Sequence, residues 1–112
     1  MNQNQTEKFY PEAGTKLFLS RSTGDSWVDM VKYPYTVVGQ KAGRLLVREC
    51  KLVFNGPRYY DTVADEILDD PNGEVIALSW SRKHGRWQFD RYQTGYPQIA
   101  HFGRWDHQPY LN

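Results

Sequence analysis

The stretch Val75-Ile76-Ala77-Leu78-Ser79-Trp80-Ser81-Arg82-Lys83-His84-Gly85-Arg86-Trp87-Gln88-Phe89-Asp90 decides the fold. Ile76, Leu78 and Trp80 alternate with small residues, and Trp87 and Phe89 alternate with Gln88 and Asp90, which is the period-two pattern of half-buried strands. A four-residue loop over Arg82–Gly85 sets Trp80 opposite Trp87 and Leu78 opposite Phe89, so every large apolar side chain falls on one face. A loop one residue shorter would set Trp80 opposite Gln88 and mix the two faces. The alternation therefore predicts antiparallel strands over 75–81 and 86–92.

Toward the N-terminus, Asn55-Gly56-Pro57 ends an extended run that reaches from Leu45 through Cys50 to Phe54, with a bend or bulge near Glu49. Thr36-Val37-Val38 and Leu45-Leu46-Val47 flank Gln40-Lys41-Ala42-Gly43, the turn of a second hairpin. Trp27–Val31 is apolar enough for a strand, which Pro34 makes an irregular edge. Pro11 and Gly14 turn the chain into the first strand, Lys16–Ser20. Residues 1–8 carry no hydrophobic period and read as a flexible tail, and 9–112 read as a single domain.

Between the hairpins, Asp61–Glu74 holds six carboxylates and no base. Two readings stay open there. The spacing of Val63 with Ile67 and Ala64 with Leu68 suits a short helix over about 62–69, capped by Asp61 or Thr62 and stopped by Pro71. An extended edge segment is the other. The segment 94–112 carries Tyr96, Phe102, Trp105 and Tyr110, so it is expected to dock on the sheet or on a partner, with Ile99–Phe102 as a short strand. The fold class that follows is mainly β: a small antiparallel barrel or curved sheet of about five to seven short strands with at most one short helix.

Aromatic residues make up 15% of the 112, which favours strands around a bulky core. The longest apolar runs, such as Val75–Leu78, are far short of the roughly 20 residues of a membrane helix. The first residues lack the basic start and apolar block of an export signal, and Cys50 is the single cysteine, so a cytoplasmic location is expected.

Charge is unevenly divided: nine bases and five acids over 1–60, six acids over 61–74, five bases and two acids over 75–112, for a net +1. Lys41, Arg44, Arg82, Lys83 and Arg86 fall at the two hairpin turns, where they can contact phosphates while Tyr or Trp side chains stack on bases. The alternative is that they solvate the loops, and the near-zero net charge argues against strong unassisted nucleic-acid binding. Asp65, Asp69, Asp70 and Glu74 offer oxygen ligands, but their spacing matches no calcium loop. His101 and His107, with Asp106 beside the latter, lack a zinc-ligand spacing, so no metal or cofactor is expected. Cys50 has none of the flanking signals of a nucleophile and reads as a small buried hydrophobe.

Pro11-Glu12-Ala13-Gly14-Thr15-Lys16-Leu17, followed by short strands, resembles the opening of small SH3-like barrels, in which a G-T-x-hydrophobic step begins the first strand. Phe54-Asn55-Gly56-Pro57-Arg58-Tyr59-Tyr60-Asp61-Thr62 is similar to compact proteins of phages and integrated mobile elements. The resemblance covers about half the chain, brings no catalytic motif and departs from such barrels in the long aromatic C-terminal segment; it implies a binding or accessory role. The first functional reading is thus a non-enzymatic binding module acting through protein–protein contacts, with Tyr33, Tyr35, Tyr59, Tyr60 and Trp105 as contact residues and self-association through an exposed strand edge as one route. A weak nucleic-acid-binding accessory protein using the basic loops is the second, and a small enzyme with a site assembled from distant residues is the third.

Overall fold

The structure, a computed structural model, describes residues 7–21, 32–57, 64–89 and 97–103. Eight strands run in chain order: β1 Lys16–Arg21, β2 Lys32–Lys41, β3 Arg44–Glu49, β4 Lys51–Val53, β5 Glu66–Leu68, β6 Val75–Ser81, β7 Arg86–Phe89 and β8 Gln98–Gly103. Trp80 pairs with Trp87, Ser79 with Gln88 and Ser81 with Arg86, the register that the alternation demands. The loop Arg82–Gly85 closes with a hydrogen bond of 2.7 Å from the Gly85 amide to the Ser81 carbonyl.

Six strands close into an antiparallel barrel in the order β1-β2-β3-β6-β7-β8, with β8 returning to pair with β1. Every barrel strand has a hydrogen-bonded neighbour on both sides, so among the described residues no barrel strand is an edge strand. A separate two-stranded sheet, β4 with β5, is inserted between β3 and β6, and among the described residues these two strands pair only with each other. A barrel this narrow is filled by its own side chains. Leu17, Leu19, Tyr35, Val37, Leu45, Val47, Ile76, Leu78, Trp87 and Ala100 form the core, with Tyr33, Trp80, Phe89 and Phe102 packed against it.

Three details refine the expectation. The β2–β3 turn is confined to Ala42-Gly43, with Lys41 already paired to Arg44. The long third strand is broken at Cys50, where the chain leaves β3 and enters the second sheet as β4. In the acidic segment the extended alternative prevails over helix 62–69: β5 pairs with β4, Leu52 against Ile67, and no helix is found among the described residues. The weak helical period of that segment loses to tertiary pairing. Trp27–Val31 lies outside the described residues.

Pro34 sits inside β2, just past the end of the ladder with β3, where Tyr35 pairs with Glu49. Its missing amide is tolerated there, and its carbonyl accepts from the Cys50 amide at 3.1 Å. Gly73 closes a turn from Asp70 with a bond of 2.9 Å. A Cβ at Gly73 would overlap the Glu49 carbonyl, so the approach of this turn to the end of β3 requires glycine.

Ala42 and Gly43 both have positive φ, 53° and 79°, as a two-residue hairpin turn of type I′ demands. Alanine is strained in the left-handed region by roughly 1–2 kcal/mol. Ala42→Asn is expected to stabilise the protein by about 1 kcal/mol and to raise the midpoint of thermal unfolding by roughly 4–8 °C, read by circular dichroism.

Candidate functional site

Both hairpin turns lie at one end of the barrel, because β3 and β6 pair antiparallel, Leu45 with Leu78 and Arg48 with Val75. A strap, residues 8–10, closes that end. Trp87 is fully buried, and its indole N–H donates to the Phe9 carbonyl at 2.8 Å. The Phe9 ring stands edge-on to Trp80 at 5.5 Å and to Phe102 at 5.7 Å, while Tyr10 lies 5.5 Å from Trp87. Lys8 belongs to the stretch expected to be a tail. Its Nζ donates to the Gly43 carbonyl at 2.9 Å and lies 5.3 Å from the ring centres of both Tyr10 and Trp87.

The strap leaves Phe9 41% and Tyr10 42% exposed. Around it stand the basic residues that the sequence singled out. Lys41 and Arg44 flank the β2–β3 turn, Arg82 and Lys83 occupy the β6–β7 loop, and Arg86 begins β7 with its Nε donating to the Gln88 side chain at 3.1 Å. Lys41, Arg44, Arg82 and Lys83 are exposed. The end thus combines two half-exposed rings with six bases, counting Lys8, whereas the acidic excursion Ala64–Glu74 leaves from the opposite end, after Glu49. The net charge of the chain hides this local excess of bases at the strapped end. Glu7 and Glu12 are the carboxylates nearest the strap in sequence.

Of the expected protein-contact residues, Tyr35 belongs to the core and Tyr33 packs against it; Tyr59, Tyr60 and Trp105 lie outside the described residues. Tyr33 and Tyr35 also help line a cleft of about 650 Å³ at the mouth opposite the strap, with Phe89, Glu49, Asp70 and Gln98 among its other walls. A smaller cleft of about 360 Å³, lined by Thr36, Arg48 and Asp69 among others, lies beside it. Cys50 lines both.

The Thr36 hydroxyl donates to Asp69 at 2.7 Å, which leaves its oxygen to accept from the Cys50 thiol at 3.3 Å. Burial pushes the Cys50 pKa up to about 11, Asp69 and Asp70 add to the rise, and Thr36 and Lys16 oppose it. Two more of the acidic side chains accept from backbone amides, Asp65 from that of Asn55 and Asp70 from that of Asn72. No group of three or more metal-ligating side chains is found among the described residues. His101 stacks on Phe18 and lies 3.0 Å from the Ser20 hydroxyl, on the outer face of the barrel. His84 is exposed in its turn, and His107 lies outside the described residues. No helix among the described residues is long and apolar enough to cross a membrane.

Sequence reasoning starts the domain at Phe9, but it misses that Lys8, Phe9 and Tyr10 strap the barrel end, because their partner Trp87 is 78 positions from Phe9. The only local trace is an aromatic pair before the Pro11 turn. Comparison with protein-family models, curated proteins and solved structures returned no match.

The raised thiol pKa has a signed consequence. The folded state keeps the Cys50 proton where the unfolded chain has released it, so stability falls as pH rises from 9.0 towards about 11. At pH 8 the native thiol is expected to react with iodoacetamide at least about tenfold more slowly than in the urea-unfolded chain, followed by mass spectrometry. Equal rates would place the thiol in open solvent.

Proposed function

We propose that the protein is a non-enzymatic binding module whose working surface is the strapped end of the barrel and whose ligand is single-stranded nucleic acid. The observation that carries this reading is the pair of half-exposed rings, Phe9 and Tyr10, held between two turns that present Lys41, Arg44, Arg82 and Lys83. Basic side chains neutralise phosphates without regard to sequence, and flat aromatic faces stack on bases. A duplex hides its base faces, so exposed rings favour a single strand. The local excess of bases at this end answers the objection raised by a net +1, because affinity depends on the local field.

In this reading Cys50 has a packing role, since burial pushes its pKa up to about 11 and leaves little thiolate at neutral pH. A free, buried thiol also suits a reducing, cytoplasmic setting, and the SH3-like resemblance suits an accessory role in a phage or mobile element. A second reading, contact with a protein partner, is favoured by the cleft that Tyr33 and Tyr35 help to line.

Fluorescence anisotropy with a labelled oligothymidylate tests the first reading. Binding is expected at low salt, with log K falling against log[salt] with a slope of about −3 if roughly four phosphates are neutralised. Arg82→Ala and Lys83→Ala should each flatten the slope by about 0.7, and Tyr10→Ala should weaken binding by about 1–3 kcal/mol. Absence of binding at low salt, or equal binding by all three variants, refutes it.

A further inference from the structure

The cleft at the mouth opposite the strap differs in character from the basic end. Among the described residues three aromatics line it, Tyr33 and Tyr35 from β2 and Phe89 from β7. Tyr33 and Tyr35 are two apart on one strand and so share a face, and Phe89 comes from the other side of the mouth. Among the described residues, Glu49, at the end of β3, and Asp70, in the turn before β6, bring two carboxylates to the same space, with Lys51 as the one base. Its volume, about 650 Å³, is that of a small-ligand site.

We propose that this cleft recognises an alkylammonium group. An anionic ligand would meet two carboxylates. A neutral apolar ligand would fill the space between the rings but strip water from Glu49 and Asp70 without replacing it, which is unfavourable. An alkylammonium group suits both kinds of wall, because its charge is attracted to the negative faces of the rings and its N–H groups can donate to carboxylates. The methylene stem can then lie against Leu52 and Pro34, which also line the cleft. Cys50 contributes a neutral wall. The inference is independent of the nucleic-acid reading, since no residue of the strapped end takes part.

The test is an amide-resolved NMR titration of the full chain with 1,5-diaminopentane, with 1,5-pentanediol as the uncharged control and Nα-acetyl-lysine methylamide as the protein-side-chain form of the same chemistry. Saturable shifts are expected at Cys50, Lys51, Leu52, Asp70 and Gln98 with the diamine, and none with the diol. The double variant Glu49→Gln, Asp70→Asn removes both charges, and Asn keeps the turn-closing acceptor that Asp70 offers the Asn72 amide. It should bind about tenfold more weakly, and Phe89→Leu, which keeps an apolar wall but removes a ring face, about threefold more weakly. Comparable binding of the lysine derivative assigns the site to a protein partner's side chain, and binding of the diamine alone assigns it to a free amine. The proposal is overturned if the diol binds as well as the diamine, if both variants bind like the native chain, or if no saturable shift occurs up to about 10 mM diamine.

Discussion

Trp87 has to be removed from water while its indole N–H still finds an acceptor, and the rest of the molecule is arranged around that constraint. An unsatisfied buried N–H costs about 1–3 kcal/mol, a sizeable fraction of the stability of a small domain. The barrel interior provides apolar contact, with Trp80 edge-on at 5.3 Å, but the acceptor is the backbone of Phe9, in the segment that precedes the first strand. One hydrogen bond therefore ties the start of the domain to its last hairpin. The same tie fixes Phe9 and Tyr10 at the surface, half covered by the residues they protect.

Barrel closure has a second consequence. With each barrel strand paired on both sides, the main chain of the barrel is spent on itself, and the proposed binding surfaces are built from side chains at the two ends. The ends differ in chemistry. One carries two basic turns around a pair of rings; from the other leaves an excursion rich in carboxylates, beside a cleft walled by aromatic residues. Cys50 marks the corner where the chain departs from the barrel. Its amide, bonded to the Pro34 carbonyl, holds the end of β3 to the start of β2, and its thiol fills the junction as a neutral group.

Much of this architecture is legible in the sequence, and the reason is local. The alternation of Ile76, Leu78, Trp80, Trp87 and Phe89 admits one register, since a slip by one residue would turn bulky side chains to solvent. Lys16–Ser20, Ile99–Phe102 and the β2–β3 hairpin are legible for the same reason. The acidic segment is ambiguous because three-residue β5 is too short to show a period, and its extended form depends on pairing with β4. The break at Cys50 depends on the turn at Gly73 packing against Glu49, a contact between residues far apart in the chain. The basic loops are visible as charge at turns, but that they share one end follows only from the β3–β6 pairing. The strap and the cleft are assembled from distant elements, and no spacing in the sequence announces either.

Hydrogen exchange of the Trp87 indole proton, followed by NMR, bears most directly on the account. If the strap holds this group against the Phe9 carbonyl inside a closed barrel, its signal should exchange at least about a hundredfold more slowly than that of a free indole. Exchange at the free rate would mean that the strap is detached and the barrel end open, and the arrangement of rings and bases described above would not exist in solution.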